Sequence, residues 1–137
     1  MLIIGKRIIA VLTASTELTS ALGGSGRVVA EASSVAHDKR VHVSLDVGQD
    51  QNSIPADIGE VSIYVVVKES ETNPITTSLE ITTIIDNLLN QGEVVLSNTE
   101  YPVKNIIRQD TDGPYHDQDR REYVTEIVYS YILKNKA

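Results

Sequence analysis

The sequence predicts an α+β fold, with two helices packed on one face of a mostly antiparallel sheet of about five or six strands, in a single domain over residues 1–137. The first observation behind this is a change of period within residues 58–92. Val61, Ile63, Val65 and Val67 alternate with Ser62, Tyr64, Val66 and Lys68, the two-residue period of a strand with one apolar face. From Ile75 onward, Leu79, Ile81, Ile84, Ile85, Leu88 and Leu89 recur at helical spacings and draw one apolar stripe. The second observation is the order of such segments: helix, two or three strands, helix, three strands, with no internal repeat. The third is composition. Without Phe or Trp, the core has to be built from Val, Ile, Leu and Ala with six Tyr as the only aromatics, which suits a sheet covered by helices.

The first helix is expected from Leu2 to about Leu22, where Ile4, Ile8, Val11, Leu12, Leu18 and Leu22 form the stripe and Lys6, Arg7 and Glu17 lie off it. The stretch Thr13-Ala14-Ser15-Thr16 has weak helix propensity and marks a break or kink. Gly23-Gly24-Ser25-Gly26 ends the element, and Val28-Val29-Ala30 has the length of an edge strand. A turn over residues 33–39 leads into a half-buried strand from Arg40 to Val47, with Val41, Val43, Leu45 and Val47 on one side and His42, Ser44 and Asp46 on the other. Residues 48–57 read as a polar loop near the upper length for a compact domain. For the second helix, Asn73 takes the capping position, Pro74 the first turn and Gly92 the left-handed position past the end. Short strands follow at Glu93 to Ser97 and Val103 to Gln109, then an acidic loop to Arg121. The last strand, Glu122 to Lys134, puts Tyr123, Ile127, Tyr129, Tyr131 and Leu133 on one face and Val124, Val128 and Ile132 on the other.

A formal charge of −7 argues against a surface that grips phosphates, since nucleic-acid affinity comes largely from Lys and Arg. With no Cys there is no disulfide, thiolate nucleophile or thiolate metal site. Lys6 and Arg7 split the N-terminal apolar run, so a helix with a basic face fits better than a signal sequence, and no stretch is long enough to span a membrane.

Asp110, Asp112, His116, Asp117 and Asp119 are the densest polar cluster, but their spacing is wrong for a calcium loop. Counting from Asp110, the sixth and twelfth positions hold Tyr115 and Arg121 where Gly and Glu are needed. A solvated hairpin loop is the preferred reading over a metal site. No nucleophile elbow is present, and Gly23-Gly24-Ser25-Gly26 lacks the Lys-Ser/Thr of a phosphate-binding loop. His37, His42 and His116 read as surface histidines. The expectation is a protein with no catalytic residue, cofactor or metal. Tyr64 and Val66 on one strand, with Tyr129 and Tyr131 on another, break the polar pattern of a face and fit a subunit or partner interface, because tyrosine joins a large apolar body to a hydrogen-bonding tip. An ordinary core role for them stays equally open.

In the order of its elements the chain resembles the small tail-terminator or tail-completion proteins of tailed bacteriophages. The likeness lies in the N-terminal helix ending in Leu22-Gly23-Gly24 before Arg27-Val28-Val29, the strand Glu60-Val61-Ser62-Ile63-Tyr64-Val65-Val66-Val67, the helix over 74–91, and a Tyr-rich last strand preceded by an acidic segment. The resemblance implies a non-enzymatic virion protein, assembled in the host cytoplasm, that forms a homo-oligomeric, hexameric ring at the head–tail junction. It would cap the tail tube and dock to the head connector. The acidic segments 48–57 and 109–121, with Asp50, Asp57, Asp110, Asp112, Asp117 and Asp119, would then face the lumen or the partner rings and let phage DNA pass without binding. A head-completion or connector protein of the neck is the neighbouring alternative. A small ligand- or metal-binding domain using the Asp110 to Asp119 loop is the alternative from a different class.

Overall fold

The computed structural model describes residues 2–24, 26–30, 37–45, 56–90 and 103–134. Eight elements follow in order: α1 (Leu2–Ala14), α2 (Thr16–Leu22), β1 (Val28–Ala30), β2 (Lys39–Leu45), β3 (Ala56–Lys68), α3 (Pro74–Leu89), β4 (Val103–Asp117) and β5 (Glu122–Lys134). The strands form one sheet in the order β1-β2-β3-β5-β4, parallel only where β1 meets β2. The α+β class and the mostly antiparallel sheet are thus as the sequence predicts. The expected strand over residues 93–97, the turn over 33–36, Val47, Asp50 and Gly92 lie outside the described residues.

The expected first helix is two helices, and the break falls inside the weak Thr13 to Thr16 stretch. Ser15 leaves helical backbone, and its Oγ accepts the Leu18 N–H at 3.2 Å, which caps α2. The far end of α2 closes on Gly23 at φ 88°, with Gly24 N–H bonded to Thr19 O and Gly23 N–H to Ser20 O, the paired bonds of a Schellman end. Pro74 opens α3 as expected, but Asn73, though at the capping position, makes no side-chain cap bond. Within α3 the buried Ser78 and Thr82 satisfy their hydroxyls on carbonyls one turn back, Pro74 O and Ser78 O.

All the helices pack on one face of the sheet. Val61, Ile63, Val65 and Val67 are fully buried there, beside Val41 and Val43 of β2 and Ile127, Tyr129 and Tyr131 of β5. Ile8, Leu12, Leu18 and Leu22 cover this layer from one side, and Ile81, Ile85 and Leu89 from the other. The α3 stripe is narrower than its periodicity implies: Ile84 and Leu88 flank the core, while Ile75 and Leu79 are about half exposed.

The acidic segment is the largest departure. Residues 110–117, read from sequence as loop, continue β4, whose ladder to β5 pairs Asp110 with Val128, Asp112 with Glu126 and Tyr115 with Val124. Strand pairing needs backbone groups and not apolar side chains, so an edge strand with water beside it accommodates Asp and Gln readily. Pro114, which has no N–H to give, sits in the ladder's third register shift, between Asp112 and Tyr115. Asp57 likewise belongs to β3, opposite Leu133, and not to the preceding loop. Among the described residues, no helix is long and apolar enough to cross a membrane.

Candidate functional site

The residues expected to form an interface divide between the two faces of the sheet. Tyr129 and Tyr131 lie on the helix-covered face and are among the largest fully buried side chains, so they belong to the core of their own subunit and offer no surface to another. The alternation had placed the two tyrosines on one face correctly. Which face the helices cover is set by long-range packing, and α3 lies over them. The Tyr129 hydroxyl donates to Asp86 Oδ1 of α3 at 2.9 Å, and Arg108 Nη1 of β4 donates to Asp86 Oδ2 at 2.9 Å. Burial first, and then the Asp86 carboxylate, push the Tyr129 phenol well above its ordinary value. Tyr131 packs across Gly59, its direct partner on β3, where an added Cβ would fall within the Tyr131 ring.

Tyr64 and Val66 lie on the opposite face, but they are not equally accessible. Tyr64 is half-buried between its cross-strand neighbours His42 and Glu126. Val66 keeps only 5% of its surface exposed, because Arg40 of β2 reaches across it to β5. Arg40 Nη2 meets Glu122 Oε2 at 2.7 Å, Nε donates to His42 Nε2 at 2.9 Å, and Nη1 donates to His37 O at 3.0 Å. Both charged groups are buried, and this set of partners offsets the cost of taking them out of water. Outside this clasp the face carries Ser44, Ser62, Tyr64, Val124, Val128, Ser130 and Ile132, partly exposed and under no helix.

The acidic residues are not gathered into one site. Asp110 and Asp112 stand on the uncovered face of β4, and His116 points to the other face, where its Nε2 lies 2.7 Å from Glu69 Oε2 and its ring packs on Tyr123. Asp117 folds over the turn and accepts the N–H groups of Asp119 and Arg120 through Oδ1. Asp119 is exposed in the turn. No group of three or more acidic or His side chains among the described residues is placed to hold a metal.

Several residues that shape these surfaces carried no sequence signal. Arg40 and Glu122 are 82 positions apart in the numbering, and only the β2-β3-β5 order brings them together. Asp86 lies 43 positions from Tyr129 and 22 from Arg108, and only the packing of α3 on the sheet joins them.

The result is a two-layer α+β domain with one helix-covered face and one open face. No family model and no curated protein matches the chain. Among solved structures it is similar to a chain from the virion of a native gene transfer agent particle, with a TM-score of 0.74 at 10% identity, over 93% of this chain and 92% of that one. A second solved structure aligns with a TM-score of 0.63 at 12% identity, over 96% of this chain and 91% of that one. The shared fold therefore runs almost end to end.

Proposed function

We propose that the chain is a structural virion protein that assembles as a ring, a hexamer, at the head–tail junction of a tailed phage. There it caps the tail tube, docks to the head connector and encloses the path of the DNA. The observation that carries this reading is the near-complete fold match to a chain of a virion particle. The open sheet face, with Tyr64, Val124, Val128 and Ile132 partly exposed, supports an assembling role, since apolar and aromatic side chains on an uncovered face gain by meeting a partner. The charge of −7 supports a lumen that DNA passes without sticking.

Negative-stain imaging of the purified protein, alone and mixed with tail tubes, tests it. Rings with a central hole, seated on tube ends, are the expected outcome. A chain that stays monomeric and never joins purified tails overturns it.

A further inference from the structure

The two ends of the sheet carry opposite charge. At the β4 end, Asp112 and Glu126 are direct cross-strand partners on the uncovered face, and Asp110 lies on the same face. Side chains so paired stand roughly 5 Å apart, and like charges there repel. Neither the Asp112 nor the Glu126 carboxylate has a hydrogen bond or ion pair to any described residue, so no described cation relieves the repulsion. Ile107 and Tyr115, two of the exposed large apolar side chains, stand on the same strand.

The other end is cationic. There α1 packs over β1 and β2 and contributes Lys6, while Arg27 precedes β1 and Lys39 opens β2. Lys6 is exposed and pairs with no described residue. Among the described acids nearby, Asp38 is engaged by Lys68 at 3.4 Å and Glu17 stands on α2.

We propose that copies of this chain meet head to tail, the acidic β4 flank of one (Asp110, Asp112, Glu126) against the basic α1–β1 end of the next (Lys6, Lys39). A contact between two different surfaces, repeated from copy to copy, builds a ring where its rotation closes. The inference rests on the ring reading above and specifies its contact. Simple extension of the sheet is a poorer alternative: three register shifts and Pro114 interrupt the β4 edge as a pairing template, which leaves side-chain charge and the exposed Ile107 and Tyr115 to define the fit.

The test is light scattering, with and without tail tubes, on the full chain and on two charge-reversed variants, Asp110→Lys with Asp112→Lys, and Lys6→Glu with Lys39→Glu. Thermal melts followed by circular dichroism check that each variant folds. Each variant alone is expected to fall from the oligomer's mass to that of the 15.0 kDa monomer, and an equimolar mixture to regain the oligomer, because each supplies the end the other lacks. Asp110→Asn with Asp112→Asn, which removes charge without reversing it, gives a second reading and is expected to weaken assembly less. A wild-type oligomer that both reversals leave intact overturns this contact while the ring stands. A wild type that is monomeric at every concentration and also fails to assemble on tail tubes overturns the ring itself and this contact with it.

Discussion

At the scale of single residues, the core holds two polar groups with opposite fates. Thr125 is fully buried opposite Val65, and its Oγ1 has no partner among the described residues. An unpaired buried hydroxyl is a cost, so Thr125→Val, close in shape, should leave stability unchanged or raise it by about 1 kcal/mol, read from urea midpoints. Tyr129 is the contrary case, since its hydroxyl is used. The folded state holds the phenol proton more tightly than the unfolded chain, whose tyrosine titrates near 10. The contribution of protonated Tyr129 is therefore complete below about pH 10 and is lost as pH rises above it, with a slope of up to about 1.4 kcal/mol per pH unit. Tyr129→Phe should be less stable than wild type at pH 8 by about 1 kcal/mol, the worth of one hydrogen bond, and the gap should narrow at pH 11. A gap that stays constant would show that Tyr129 ionises as easily in the folded chain as in the unfolded one. Gly59 belongs at this scale too: nothing in its sequence context announced that Tyr131 lies flat across it, because the partner is 72 positions away in the numbering.

At the scale of elements, period and the break between α1 and α2 were legible, while the Asn73 cap bond failed to form and accessibility was not legible. The alternation in β2, β3 and β5 gave each strand and its two faces correctly, because a two-residue period survives any packing arrangement. The break at Ser15 was legible for a local reason, its side chain competing for the helix N–H groups. Residues 110–117 failed as a strand because an edge strand with water on its flank shows no apolar alternation, while Asp and Gly-Pro imitate a turn. The stripe of α3 was drawn too wide for a related reason: periodicity cannot separate residues facing the sheet from those at the rim. Ile85 is fully buried and Leu79 is 51% exposed, although both fit the helical spacing. Ile85→Ala should cost about 2–5 kcal/mol, through lost burial and the cavity left behind, and Leu79→Ala at most about 0.5 kcal/mol. Equal shifts of the denaturation midpoint in the two variants would mean that α3 is rotated about its axis.

At the scale of the whole molecule, one layer is spent on stability and the other face is left open, a division that sequence alone could not make because it depends on where three helices settle. The tyrosines show the consequence. Of the three tyrosines and one valine expected at an interface, Tyr129 and Tyr131 hold the domain together, Val66 is roofed by Arg40, and Tyr64 alone keeps an outlook to solvent on the open face. Charge is also a property of the whole. Asp110, Asp112, Asp119 and Glu126 reach solvent, whereas Arg40 is buried against Glu122 and Arg108 is tied to Asp86, so among the described residues the exposed cations without such a tie are Lys6 on α1 and Arg120 at the hairpin turn. A surface of this kind repels the phosphate backbone, because the counterion release that drives non-specific DNA binding requires several cations presented together. The purified protein should therefore give no retardation of duplex DNA at about 0.1 M salt and concentrations up to about 10 μM, where basic DNA-binding proteins bind without regard to sequence. Neutralising Asp110, Asp112 and Glu126 together to Asn and Gln should not by itself create binding, since the removal of anions supplies no cation. Retardation by the wild type in that range would mean that the cations of α1 and the hairpin form a phosphate-binding surface, and a lumen role for this chain would then have to be one of gripping DNA instead of releasing it.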